Sequence, residues 1–209
     1  MVMLLRIFPS YSQTDSSKNV PSFIIGLKSG YGFATPVKEV YENGIQSGVP
    51  FNVYAGIHMN KWAFKVEPVI FITGSGAFDP EESYMSQNIY RNFFQLSAAC
   101  YPVSNKNLYC SIGAGLGAYT SYNKPKYTSA PASWPDTANF GNNGPGLSVA
   151  VGYEFRLGKK GARIPVEICY GNVLMPKLKY ESYIVKDSAI STGILIFMTG
   201  ISFDPGNKK

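Results

Sequence analysis

Apolar and polar residues alternate along most of the chain, and this alternation limits the fold more than any other feature of the sequence. Successive side chains of a β-strand point to opposite faces, so a period of two indicates strands with one apolar face. Eight segments show this period: 23–33, 49–59, 62–73, 91–101, 108–119, 147–157, 164–171 and 192–203. No long segment has the helical period, and the sequence therefore predicts an all-β fold.

The connections between these segments are alternately short and long. Tight turns, with the Asn, Gly and Lys residues typical of hairpins, are predicted at 60–61, 104–107 and 158–161. Long connections, rich in Pro, Ser, Asn and Tyr, lie near 34–47, 75–89, 123–145 and 175–190. Membrane barrels show this asymmetry, with short turns on one side and longer loops on the other. An even number of strands places both termini on the short-turn side.

The composition agrees with a barrel whose apolar residues are spread thinly. Only 15% of the residues are charged, against about 25% in soluble domains. No stretch approaches the roughly 20 apolar residues of a membrane-spanning helix, whereas barrel strands need only about 9–11 residues each. We predict a closed antiparallel up-and-down transmembrane β-barrel of about eight strands over residues 20–203. Residues 1–19 are interpreted as a signal-peptide remnant or flexible N-terminal segment, and 204–209 as a C-terminal tail.

The composition of the polar face indicates which face points inward. That face consists mainly of Gly, Ser, Ala, Tyr, Asn and Gln, whereas a soluble barrel covers its outside densely with charged residues. Small residues suit the crowded interior of an eight-stranded barrel. The few charges are of both signs, so they can neutralise one another in a closed lumen. The predicted lumen network consists of Lys28, Lys65, Glu67, Arg91, Glu154, Arg156 and Glu167.

Three features could mark a functional site, and a structural role is favoured for each. Residues 113–118 match the letters of a dinucleotide fingerprint, but the residues that follow are poor helix formers, so a glycine-bearing strand face is favoured. His58 is the only histidine and lies beside a short turn, so a hydrogen-bonded lumen or turn histidine is favoured over a catalytic base. The three carboxylates of the lumen network are expected to pair with cations rather than to act in acid–base chemistry. We therefore predict no catalytic residues, no metal site and no cofactor.

Cysteine and aromatic residues give two further expectations. Cys100 and Cys110 fall on the same face of adjacent strands, and free thiols are favoured over a disulfide, whereas Cys169 falls on the other face. Aromatic residues near strand ends are expected to form a girdle at the depth of the lipid headgroups. These residues are Trp62, Tyr101, Tyr109, Tyr119 and Tyr122.

Three segments resemble a known family. The sequences FIIGLKSGY at 23–31, VPFNVYAGIHMNKW at 49–62 and TGISF at 199–203 are similar to the small outer-membrane β-barrel superfamily, which includes the OmpA transmembrane domain and porin-family proteins of Bacteroidetes. The resemblance covers roughly residues 20–203. It implies residence in the outer membrane of a Gram-negative cell and insertion by the barrel-assembly machinery, with the aromatic end of the last strand at Phe203 resembling the assembly signal.

The expected function is that of a monomeric outer-membrane protein with a structural or surface-interaction role. Its long loops, above all 123–145, are candidate surfaces for an extracellular ligand. A narrow channel, a lipid-modifying enzyme of the outer membrane and a soluble lipocalin-like barrel remain as alternatives. The net charge of +6 lies largely in turns and tails and indicates solvated surface rather than nucleic-acid binding. These positions are Lys159, Lys160, Arg163, Lys208 and Lys209.

Overall fold

The fold, in a computed structural model, is described for residues 21–35, 45–76, 85–102, 107–125, 138–158, 161–180, 183–186 and 189–204. Ten strands occur in these residues: β1 Ser22–Ala34, β2 Gln46–Met59, β3 Trp62–Gly76, β4 Met85–Cys100, β5 Leu108–Pro125, β6 Ala138–Leu157, β7 Ala162–Met175, β8 Leu178–Tyr180, β9 Tyr183–Lys186 and β10 Ile190–Phe203. The described residues contain no helix, and therefore no helix that could cross a membrane.

Eight of these strands form a closed barrel. Each strand from β1 to β6 pairs antiparallel with the next strand along the chain. The last strand, β10, pairs with both β7 and β1 and so closes the sheet. This confirms the predicted closed antiparallel up-and-down barrel. Closure leaves the barrel strands without an open edge.

The pairing register determines the width of the barrel. A row of directly paired residues that starts at Ala63 on β3 passes once around the barrel and returns to β3 at Thr73, ten residues further along. With about 3.3 Å per residue and about 4.8 Å between strands, this offset corresponds to a strand tilt of about 40° and a radius of about 8 Å. The interior is therefore just wide enough for side chains.

The two faces of the barrel differ sharply in chemistry. Large apolar side chains point outward, and Phe94, Leu116 and Leu147 are 56%, 69% and 64% exposed. Where the structure describes the side chains of the barrel strands, all charged residues occupy inward-facing positions of the alternation. They are Lys28, Lys65, Glu67, Arg91, Glu154, Arg156, Arg163 and Glu167. The orientation predicted from the composition of the polar face is confirmed.

The strands at one side of the barrel extend further than the alternation predicts. β5 continues to Pro125 and β6 begins at Ala138, so much of the segment 123–145 is strand, while residues 126–137 lie outside the described residues. The start of β6 is rich in Asn and Gly, which are depleted in strands, and pairing with β5 overrides that preference. The short hairpin of β8 and β9, not predicted, pairs with this part of β6.

Two glycines leave room for tyrosine rings in the narrow interior. Gly26 pairs directly with Tyr54, and Gly152 pairs directly with Tyr109. A Cβ atom at Gly26 would lie 2.3 Å from Cζ of Tyr54, and one at Gly152 would lie 2.4 Å from Cζ of Tyr109. Each ring therefore occupies the space that a side chain would take on the neighbouring strand.

The substitution Gly152→Ala is expected to destabilise the barrel by roughly 2 kcal/mol, because overpacking a filled interior is costly. Tyr109 cannot move aside without losing its hydrogen bond to Glu167. Urea titration of the protein in lipid vesicles measures the effect. Gly171→Ala is the control, since a Cβ atom there would meet its nearest neighbour at 3.9 Å. Equal losses in the two variants would contradict the prediction.

Candidate functional site

The barrel interior gathers most of the charged side chains predicted for it. Six of the seven predicted residues are buried: Lys28, Lys65, Glu67, Arg91, Glu154 and Glu167. These residues and the inward side chains around them form three groups along the barrel axis. These are an end cluster near the short turns, a central cluster, and an apolar layer with Arg91 towards the long connections.

The central cluster consists of Lys28, Lys65, Glu67 and Glu167, two cations and two anions. Lys28 Nζ donates a hydrogen bond to Glu167 Oε1 at 2.8 Å and lies 3.7 Å from Glu67 Oε1. Lys65 Nζ lies 3.8 Å from the same Glu67 oxygen. The charges are therefore compensated within the cluster, as the burial of ions requires.

Polar and aromatic neighbours complete the environment of the central cluster. Both lysine ammonium groups lie about 5 Å from the centre of the Tyr54 ring, at 4.9 and 5.0 Å. Tyr109 donates a hydrogen bond to Glu167, and Gln95 Nε2 donates one to Glu67 Oε2 at 3.0 Å. These contacts hold the four charged groups in fixed positions.

The end cluster consists of His58, Tyr101, Glu154, Arg163 and Asp204. Arg163 donates hydrogen bonds to both carboxylates, to Glu154 Oε2 through Nη1 and to Asp204 Oδ2 through Nη2, the latter at 3.0 Å. Nδ1 of His58 donates to the same oxygen of Asp204 at 3.0 Å. Tyr101 donates to Glu154 at 3.0 Å. The prediction that His58 is a hydrogen-bonded histidine at the short-turn end of the lumen is confirmed.

One arginine predicted for the lumen is exposed, and another arginine is buried there instead. Arg156 is exposed at the end of β6, whereas Arg163, which the sequence analysis assigned to solvated surface, is buried. The two residues are directly paired across β6 and β7. Arg163 takes the position between the carboxylates of Glu154 and Asp204. The expectation that Arg163 lies at solvated surface is wrong, and the Arg156 side chain is exposed rather than buried in the lumen.

Asp204 lies just beyond the last strand, at a position that the sequence analysis assigned to the C-terminal tail, and it is buried. Burial by itself raises the pKa of a carboxyl group. Hydrogen bonds from His58 and Ser22, together with the charge of Arg163, outweigh burial and hold the pKa of Asp204 below its usual value. The residue is therefore ionised at neutral pH and fixes the end of β10 to β2 and β7.

The half of the interior towards the long connections is largely apolar, which the alternation does not predict. Buried side chains from several strands form this apolar layer: Val69, Phe71, Phe93, Val173, Ile194 and Ile196. Arg91 lies beside it, where Nε donates to Thr192 Oγ1 at 3.1 Å and the guanidinium group lies 5.3 Å from the centre of the Tyr119 ring. The buried inward side chains are thus mainly charged and polar towards the short turns and mainly apolar towards the long connections.

Three of the aromatic residues expected at headgroup depth belong to the interior instead. Tyr101, Tyr109 and Tyr119 are buried, while Trp62 is exposed on the outer face; the side chain of Tyr122 lies outside the described residues. The alternation itself contained the correct signal, since these tyrosines share the face of Arg91, Ser111 and Gly113. Position near a strand end was a weaker guide than the face of the strand.

The cysteines and the glycine-rich motif lie as the sequence predicts. Cys100 and Cys110 are directly paired on the outer face, and neither is bonded to the other. Cys169 is buried on the inner face. Residues 113–118 lie within β5, so they do not form the turn of a dinucleotide site.

Comparison with solved structures finds similar barrels, among them the following two. The crystal structure of Neisserial surface protein A (NspA) matches with a TM-score of 0.53 and 14% identity, covering 88% of this chain and 98% of that one. The crystal structure of the outer membrane protein OprG from Pseudomonas aeruginosa matches with a TM-score of 0.50 and 12% identity, covering 89% of this chain and 96% of that one. These similarities identify the fold. No protein-family model and no curated protein matches the chain.

The chemistry available in this interior is mainly that of structural ion pairing. Among the described residues, no three His, Cys, Asp or Glu side chains are grouped in a way that could hold a metal ion. The cations and carboxylates of the two clusters bind one another directly. Each cluster thus joins strands that are distant in sequence.

Replacing Asp204 by Asn is expected to destabilise the barrel by roughly 2 kcal/mol at pH 7, because charged hydrogen bonds to Arg163 and His58 are weakened. As pH falls below about 4, the unfolded carboxyl group takes up a proton before the folded one. The wild-type protein then loses the contribution of Asp204, and its advantage over Asp204→Asn shrinks.

Urea midpoints of both proteins in lipid vesicles, measured from pH 7 to pH 2, test this expectation. The difference between wild type and Asp204→Asn should decline as the pH falls below about 4. A difference that does not change with pH would show that the ionisation of Asp204 does not contribute to stability.

Proposed function

We propose that this protein resides in the outer membrane as a monomeric β-barrel with a closed lumen and has a structural or surface-interaction role. The observation that carries the proposal is the outer face of the barrel. It presents large apolar side chains all around, and the charged residues of the strands, where their side chains are described, occupy inward-facing positions. Lipid is the environment that such a surface suits.

The height of the apolar face supports a membrane location. On β1 the outward apolar side chains begin at Phe23 and end at Phe33. Ten residue steps along a strand tilted by about 40° cover roughly 25 Å along the barrel axis, which is the height of the apolar band of outer-membrane barrels. Polar residues replace apolar ones on the outer face near the long connections, as at Asn92, Asn143 and Asn172.

The filled interior favours a structural role over a channel. The charged clusters and the apolar layer together occupy a barrel that is only about 8 Å in radius. Solutes would have to displace paired ions in one half and packed Phe71 and Phe93 in the other. The interaction role is assigned to the long connections, because binding commonly resides in loops on a rigid scaffold.

An enzymatic role has less support. The only histidine, His58, is buried in the end cluster and binds Asp204 inside the barrel. A hydrolase acting on membrane lipid needs its base on the outer surface, near the lipid ester.

We propose insertion by the barrel-assembly machinery on the basis of the outward aromatic residue at the end of β10, Phe203.

Introducing a lysine in the middle of the outer face tests the lipid contact. Val149→Lys is expected to cost roughly 2–4 kcal/mol in lipid vesicles, because a cation at the bilayer midplane is poorly solvated. Asn143→Lys, on the same strand and face but near the polar edge, should cost at most about 1 kcal/mol. Urea titration with a gel assay for heat-dependent mobility measures both. Equal, small costs and a folded protein in detergent-free buffer would contradict the proposal.

Planar-bilayer recording tests the closed lumen. Wild-type protein, shown to be inserted by its heat-dependent mobility, is expected to give no sustained ohmic current, because paired charges and apolar side chains fill the pore. Reproducible unitary steps that scale with voltage would overturn the closed-lumen proposal and support a narrow channel instead. Vesicles prepared without protein provide the baseline.

A further inference from the structure

The outer face of the barrel carries a groove across β2 to β6. Its volume is about 590 Å³, within the range of pockets that hold small organic ligands, about 300–1,000 Å³. The lining is almost entirely apolar and includes Met59, Phe64, Leu96, Ile112 and Leu147. The groove therefore suits a hydrocarbon chain rather than a polar solute.

Two alanines produce the depression. Ala98 is paired with Phe64 on one side and with Ile112 on the other. Ala114 is paired in the same way with Leu96 and Leu147. Small side chains in the middle of rows of large ones leave a recess bounded by their neighbours.

One end of the groove lies at the edge of the apolar band. Met59, which lines it, is the last residue of β2 and directly precedes the turn of Asn60 and Lys61. Lys61 is exposed, and Trp62 follows it on the outer face. A cation and an amphipathic ring at the end of an apolar groove are the groups that a lipid headgroup contacts.

The exposed charges at this end of the barrel are of one sign. Among the described residues near the short turns, Lys61 and Arg156 are exposed, whereas the acidic residues Glu154 and Asp204 are buried in the end cluster. The surface at the mouth of the groove therefore attracts anions. Its charge complements a phosphate and repels a second cationic surface.

We propose that the groove is a binding site for one anionic glycerophospholipid of the leaflet on the short-turn side. An acyl chain lies along Ala98 and Ala114, and the phosphate contacts Lys61. The inference rests on the proposed function, because the groove faces lipid only in a membrane-inserted barrel.

Trp62 provides an intrinsic probe of this site. The chain contains two tryptophans, Trp62 and Trp134, so Trp134→Phe leaves a single reporter at the mouth of the groove. The variant is reconstituted in vesicles of dibrominated phosphatidylcholine, whose bromines quench tryptophan fluorescence. Unbrominated phosphatidylglycerol or unbrominated phosphatidylcholine is then mixed in, and the recovery of fluorescence gives the relative affinity of the two lipids for the site.

Phosphatidylglycerol should be preferred roughly fivefold over phosphatidylcholine, the effect of one lysine at a membrane surface. Lys61→Gln should bring this ratio close to one. Arg156→Gln removes a different exposed cation, at the short-turn end of β6, and should leave most of the preference. Filling the groove by Ala114→Phe should also remove the preference. Ala118→Phe, on the same face of β5 but beyond the groove, is its matched control.

Each other outcome overturns either the lipid site or the proposed function. An inserted barrel with no headgroup preference shows ordinary lipid contact only. A preference that survives Ala114→Phe arises from surface charge without the groove. A folded barrel whose Trp62 is quenched by no brominated lipid has its groove covered by a second copy. Failure to insert at all, with no heat-dependent mobility, contradicts the proposed function instead of the lipid site.

Discussion

Each backbone N–H and C=O group of a strand needs a hydrogen-bond partner, and beside an apolar outer face the neighbouring strand is the partner that remains. Closure of the sheet through β1 and β10 meets this need for the whole ring of strands. The offset of ten residues around the ring then sets the tilt and the narrow width. Because the interior is narrow, every side chain that points inward must fit its neighbours, and each inward charge must meet an opposite one.

The interior follows from this constraint. Glycine faces tyrosine where two strands approach closely, as at Gly26 and Tyr54. Lys28 and Glu167 bind across the lumen because neither can reach water from a central position. Because these ions are compensated by one another, they act in ion pairing within the barrel, which agrees with the proposed structural role.

The alternation of side chains was sufficient to predict the strands, the faces and most of the inward charges. It could not supply the relative positions of the strands, because a period of two is the same in every register. Arg156 and Arg163 both follow the inward face, and the alternation does not show that one of them is buried and the other exposed. The burial of Asp204 depends likewise on how far the end of β10 reaches. The β8–β9 hairpin gave no signal, because its strands are too short to show a period.

The hydrogen bonds between side chains that cross the boundary between β1 and β10 affect the rate at which the barrel unfolds. Lys28 and Glu167 are 139 residues apart in the chain, and His58 and Asp204 are 146 apart. Such contacts form only after the neighbouring hairpins have assembled, so they do little to speed folding. They must break before the ring can open, and interactions formed late chiefly slow unfolding. The molecule is thereby suited to a long lifetime in the folded state, a kinetic property that its equilibrium stability alone does not set.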